Sequence, residues 1–319
     1  MPITFKMFKY RKKIHYAMKR VMLFSVLLVI FLAACEQNDE VSNVDSVFEG
    51  GSQGVVAEFE PFGVEESGVF TIFDTENFPI EIVLRNLGEE DILPGNVNIT
   101  LKGINTNDFT GIVSRELTND ETIEKISEFN PQGDEEIIDF TPVEDARYKL
   151  NVTGFFQPDI FALVDFNYKT HVVIPNVCYK EDPTDESICD VQGNKAVFVS
   201  SAPVTVTSVT EDIAGRGIIV LSIIVSNVGG GRVTLPDTDF DTRFDQIAFT
   251  METDPADWEC RSGGRENQAR LVNGQATITC RLREPLEEET LFTKQVELTL
   301  KYKYQDIIQQ TIRIRESLE

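Results

Sequence analysis

Ile82-Val83-Leu84-Arg85-Asn86-Leu87-Gly88 and, 141 residues later, Ile223-Ile224-Val225-Ser226-Asn227-Val228-Gly229 are the two stretches that decide the fold. Both read aliphatic-x-aliphatic-x-Asn-x-Gly. Alternating aliphatic residues mark a half-buried strand. The Asn and Gly that follow suit an exit turn, because both tolerate left-handed backbone. A second echo comes later in each half: Phe166-Asn167-Tyr168-Lys169-Thr170 against Leu300-Lys301-Tyr302-Lys303-Tyr304, offset by 134. Two echoes in the same order predict duplication of one unit of about 130–140 residues.

The rest of the chain has the same texture. Short β-type runs are expected at 55–59, 70–72, 79–87, 96–101, 136–141, 148–156 and 161–173. In the second half they fall at 196–209, 217–228 and 271–280, the last with Asn273-Gly274 as a hairpin turn. Two closing strands are expected at 295–304 and 307–315. The one helical expectation is 117–129, capped by Asn119 and ended by Pro131-Gln132-Gly133. Residues 177–191 read as a loop. Many short strands with little helix predict an all-β chain: two tandem immunoglobulin-like β-sandwich domains, 55–192 and 193–319.

The exit strand resembles the immunoglobulin-like, CARDB-like modules of prokaryotic surface proteins. The whole chain is similar to a group of exported archaeal proteins with two such modules. The resembling residues are Phe59 with Pro61, Asn86-Leu87-Gly88, Tyr168-Lys169-Thr170 before Cys178, and Ala202-Pro203-Val204. In the second half they are Asn227-Val228-Gly229-Gly230-Gly231, the Cys260 and Cys280 pair, and Tyr302-Lys303-Tyr304. The group often has a cysteine just before its Tyr-x-Tyr element; Asn167 and Lys301 stand there in this chain. The resemblance implies two sandwiches and a surface location, and it implies no reaction.

Upstream, 18–35 reads MKRVMLFSVLLVIFLAAC. Lys19 and Arg20 form a basic n-region, and an apolar run leads to Leu32-Ala33-Ala34-Cys35. This resembles the lipobox of secreted lipoproteins, in which small residues admit the peptidase and the thiol accepts the lipid. The run is short of the ~20 apolar residues that a membrane span needs and fits a signal peptide. Residues 1–34 are therefore expected to be removed, and 35–54 to form a flexible tether lipidated at Cys35. Starts at Met1 and at Met18 leave that site unchanged. The partners expected are the membrane, through the lipid on Cys35, and a protein or glycan.

Cleavage would remove seven of the 29 Lys and Arg and none of the 53 Asp and Glu, leaving 22 against 53, a net charge of −31. Such a surface repels nucleic acid, so none is expected as a partner. Setting Cys35 aside leaves four cysteines, an even number, which in an exported chain reads as two disulfides. Three pairings are open; the local ones, Cys178–Cys189 and Cys260–Cys280, are favoured at about 3 kcal/mol each. Zinc is disfavoured, because no C-x-x-C pair exists.

Motifs that carry chemistry are few. His171, the one histidine after Cys35, has no nucleophile-elbow glycines to work with. No phosphate loop or dinucleotide fingerprint is present. Paired carboxylates of a glycan-active enzyme cannot be told apart among 53 acids. Asp237, Asp239, Asp241 and Asp245 form a weak Ca2+ candidate; the loop lacks the glycine and bidentate Glu of an EF-hand. Asn98 and Asn151 head glycosylation sequons. No catalytic or cofactor-binding residue is assigned. The expected function is a lipid-anchored surface protein with a binding or structural role, the rivals being an adhesin that pairs through sheet edges and an extracellular glycan-active enzyme.

Overall fold

The computed structural model describes residues 47–185, 188–241 and 243–317. The expected signal peptide, the lipidated Cys35 and the start of the tether lie outside them. The first half contributes β1 (Val55–Phe59), β2 (Glu81–Asn86), β3 (Val97–Lys102), β4 (Glu116–Thr118), β5 (Glu135–Asp139) and β6 (Asp159–Lys180). The second contributes β7 (Val204–Gly215), β8 (Ile218–Asn227), β9 (Asp245–Met251), β10 (Trp258–Ser262), β11 (Gln275–Leu282) and β12 (Leu291–Arg315). The chain is all-β, as its periodicity predicts.

Each half has an equivalent inner sheet. In the first, β2 lies between β1 and β5. In the second, β8 lies between β7 and β11, and β11 pairs onward with β10. The other layer is common to both halves. β6 and β12 pair antiparallel from Asp159 opposite Thr311 to Lys180 opposite Leu291, with one irregularity between Ile174 and Val177. β3 flanks β6 on its far side, and β9 flanks β12. An immunoglobulin-type sandwich sets strand F between two strands of its own domain, C and G. Here each long strand takes the second neighbour's place for the other half.

Alternation along these strands sets which face is buried. Ile160, Ala162, Val164, Phe166 and Tyr168 on β6 are buried, as are Leu298, Leu300, Tyr302 and Tyr304 on β12. They form one continuous core with Ile82 and Leu84 of the first inner sheet and Leu221, Ile223 and Val225 of the second. Thr170 ties the layers together: its hydroxyl donates to the Val204 carbonyl at 2.6 Å and lies 3.0 Å from the Tyr302 hydroxyl.

Several expectations are corrected. Segment 117–129 is not helical: after β4 it runs extended, with Ile123 bridged to Ile92. Asn119 caps no helix. It is buried, accepts from the Val97 amide at 2.8 Å and donates to the Leu93 and Glu121 carbonyls. The two closing strands are one, because no Gly or Pro interrupts 304–307 and β12 continues through it. Strand β6 runs through Cys178 to Lys180, into the stretch read as a loop. Between Arg147–Tyr148 and Phe155–Phe156, the run expected at 148–156 leaves the sheet. The stretch read as tether is already fixed at Glu49 and Gly50, whose amides donate to the Glu89 carboxylate at 2.9 and 3.0 Å.

Candidate functional site

The two Asn-x-Gly motifs become matching corners. In the first, the Asn86 side-chain amide donates to the Glu90 carbonyl at 2.8 Å, and the Glu90 backbone amide donates to the Tyr168 hydroxyl at 3.3 Å. In the second, the Asn227 side-chain amide donates to the Gly231 carbonyl at 2.9 Å, and the Gly231 backbone amide donates to the Tyr304 hydroxyl at 2.8 Å. The counterpart of Tyr168 is therefore Tyr304, two residues beyond the match that the sequence suggests. Neither Gly88 nor Gly229 is in the left-handed region. Each is glycine because a tyrosine tip fills the space: a Cβ on Gly88 would lie 1.8 Å from the Tyr168 hydroxyl, and one on Gly229 2.1 Å from that of Tyr304.

The first corner carries Glu90 onto the outward face of the shared ladder. Lys169 Nζ meets one carboxylate oxygen at 2.6 Å, and His171 Nε2 meets the other at 3.0 Å. Burial pushes the Glu90 carboxyl up, but the hydrogen bonds from His171 and Lys169 outweigh it and hold it below its ordinary value. Phe48 stacks against His171 with ring centres 6.4 Å apart. Counting from the shared Asn and Tyr, the equivalent positions at the second corner are Gly231, Gln305 and Ile307. That corner folds with no ionisable group at any of them, so the fold itself does not require the triad.

Along the same face, Lys169 stands opposite Lys301, Asn167 opposite Lys303, and Asp165 opposite Gln305. Burial raises the Asp165 carboxyl, and the 2.7 Å hydrogen bond from Gln305 opposes the shift only in part. On this face Asn167 and Lys169 are exposed, Asp165, Lys301, Lys303 and Gln305 are half-buried, and Thr299 is buried. Sequence reasoning placed His171 in a strand but missed its partner, because Glu90 lies 81 residues away.

The four paired cysteines lie as favoured: Cys178–Cys189 and Cys260–Cys280 are both bridged, which marks an oxidising compartment. Beside the first bridge, the Glu211 side chain is fully buried, accepts from the Cys178 amide at 3.0 and 3.2 Å and pairs with Lys195 at 2.6 Å. Burial raises its carboxyl despite these partners. Lys195→Met is expected to cost about 3–5 kcal/mol at neutral pH by stranding the buried carboxylate. A carboxyl whose folded pKa is raised costs stability above that pKa and regains it on protonation. The deficit should therefore shrink as pH falls toward the unfolded value. Denaturant titrations of wild type and variant across pH measure it; a deficit that stays constant down to acid pH would contradict the assignment.

The other expected site residues are dispersed. Asp241 is taken up by Arg243, which lowers its carboxyl to about 2, and Asp245 pairs with Arg232 at 3.2 Å. Asp237 and Asp239 are exposed. Among the described residues, no group of three or more His, Cys, Asp or Glu gathers as metal ligands. Asn151 is exposed in a loop, whereas Asn98 sits within β3 and donates to Glu116 at 2.7 Å. A hollow of about 430 Å3 is lined by Glu181, Asp182, Arg216 and Glu288. Hydrogen bonds from Thr184 hold the Asp182 carboxyl low, the opposite of a general acid. The free edge β5 carries Glu135, Glu136 and Asp139, charges that discourage edge-to-edge pairing. No helix among the described residues is long and apolar enough to cross a membrane. No protein-family model matches the chain, and no curated protein matches it.

Proposed function

We propose that this chain is exported, lipidated at Cys35 and displayed outside the cell as a binding module of two CARDB-like immunoglobulin sandwiches joined by a common ladder. One observation carries the binding role. The outward face of that ladder bears the Glu90, Lys169 and His171 triad, while the duplicate corner keeps the same backbone with Gly231, Gln305 and Ile307. Groups that the scaffold does not need are the ones available for recognition. The two disulfides support life in an oxidising space, and the leader supports the anchor. The lipid supplies two acyl chains, enough for stable attachment.

Cys35→Ser is expected to move the protein from the membrane pellet to the soluble exported fraction, without changing its melting midpoint. Mass analysis of the mature amino terminus and surface biotinylation of intact cells check the anchor and its side. A wild-type protein that retains residues 1–34, or that is shielded from biotin until the cells are lysed, overturns the reading.

A further inference from the structure

Building on the surface-display reading, the geometry points to the centre of the outward face as a binding surface for a carboxylate-bearing polysaccharide. Lys169 stands directly opposite Lys301, and Lys303 lies two residues along the same face of β12. Like charges directly opposite one another weaken an antiparallel pair; Glu90 offsets Lys169, and Lys301 faces it without an ion pair of its own among the described residues. The chain has 53 Asp and Glu against 29 Lys and Arg. Even so, Lys301 and Lys303 have no ion-pair partner among the described residues; Lys303 instead lies over the Phe240 ring at 5.3 Å. Glu90 fixes Lys169 at one side of the group and leaves it half exposed.

The surroundings narrow the ligand class. Ala248 stands beside Lys301, and half-buried Thr250 lies two residues further along the neighbouring strand; Asn167 is exposed opposite Lys303, whereas Thr234 and Thr299 are buried and stay out of reach. The exposed Asn167 amide and the half-buried Thr250 hydroxyl beside three ammonium groups match a polymer that carries both hydroxyls and carboxylates. Rows lie about 7 Å apart along the strands and about 5 Å across them, the scale of single sugar units. The carboxylates of Asp165 and Glu297 flank the group on the same face. A duplex or a bilayer presents a broad anionic surface that would meet those flanking carboxylates. A single polysaccharide strand with spaced charges can cross between them.

The test uses the full chain with Cys35→Ser and measures binding to polygalacturonate, neutral dextran, duplex DNA and phosphatidylglycerol vesicles. Salt-sensitive binding to polygalacturonate alone is expected. Lys301→Gln with Lys303→Gln should weaken it about ten-fold, the upper range for two exposed ion pairs. Arg265→Gln with Arg281→Gln removes the same charge from exposed positions in the other sheet and should leave binding unchanged. Absence of polygalacturonate binding, equal loss in both double variants, or preference for DNA or vesicles overturns the proposal. Each of these results, in a protein that biotin reaches on intact cells, defeats this proposal alone; failure of biotin to reach it defeats the surface reading instead.

Discussion

Expressed alone, residues 46–192 do not fold to a cooperative monomer, and neither do residues 193–319. The reason is the shared ladder. Removing either half strips β6 or β12 of its partner along nearly its whole length. A bared edge of that length exposes a row of unpaired amides and carbonyls, the template for aggregation. The loss extends into the core. Phe166 packs on Tyr304 at 5.4 Å between ring centres, and Thr170 loses both Tyr302 and the Val204 carbonyl. Tyr302 is fully buried, and burial pushes its hydroxyl well above the ordinary phenol range. Either fragment would leave such groups unsatisfied or wet. The expected outcome is insoluble or molten fragments by size exclusion and near-UV dichroism, with native structure recovered when the two are co-expressed. A fragment that elutes as a monomer and melts in one sharp transition would refute this account.

Gly88→Ala should destabilise by about 3 kcal/mol, the upper end for forcing volume into a packed site. The added Cβ would sit 1.8 Å from the Tyr168 hydroxyl, 2.8 Å from its ring carbon and 2.9 Å from the Gln53 carbonyl. Tyr168 is only 2% exposed and has no room to withdraw. Gly230→Ala is the matched control: its Cβ meets nothing within 4 Å and its φ is not left-handed, so its cost should stay within about 0.5 kcal/mol. In the Tyr168→Phe background the penalty at Gly88 should fall in part, because the hydroxyl is gone while the ring remains. Denaturation midpoints of wild type, the three single variants and the Gly88→Ala, Tyr168→Phe double variant measure the coupling. Equal costs at Gly88 and Gly230 would show that packing against Tyr168 is not what selects glycine.

Strand character was readable because burial on one face imposes period two, and Asn273-Gly274 was readable because its turn needs left-handed backbone, found at φ 53° and 78°. Local disulfides were readable because the cysteines lie near each other in sequence. The motif at Asn86 and Gly88 was found for an incomplete reason. Its glycine answers a tyrosine 80 residues away, and no local rule carries that. Segment 117–129 misled because its polar spacing mimics a capped helix, whereas Asn119 spends its amide and carbonyl on Val97, Leu93 and Glu121. The triad was illegible for the same reason as the ladder: Glu90, Lys169 and Lys301 meet only through tertiary pairing, where sequence period says which face a side chain takes and not which neighbour it finds.

The register of the ladder bears on descent. Tyr168 corresponds to Tyr304, an offset of 136, and by that offset Asn167 corresponds to Lys303, the residue it stands opposite. The pairing is thus palindromic about that one position, as it would be across the dyad of a homodimer. A single-copy forebear would have closed its open edge on a twin, and fusion of two genes would have made the union permanent. Any one-copy relative is then expected to be an obligate dimer through this strand; one that is a stable monomer would count against that history.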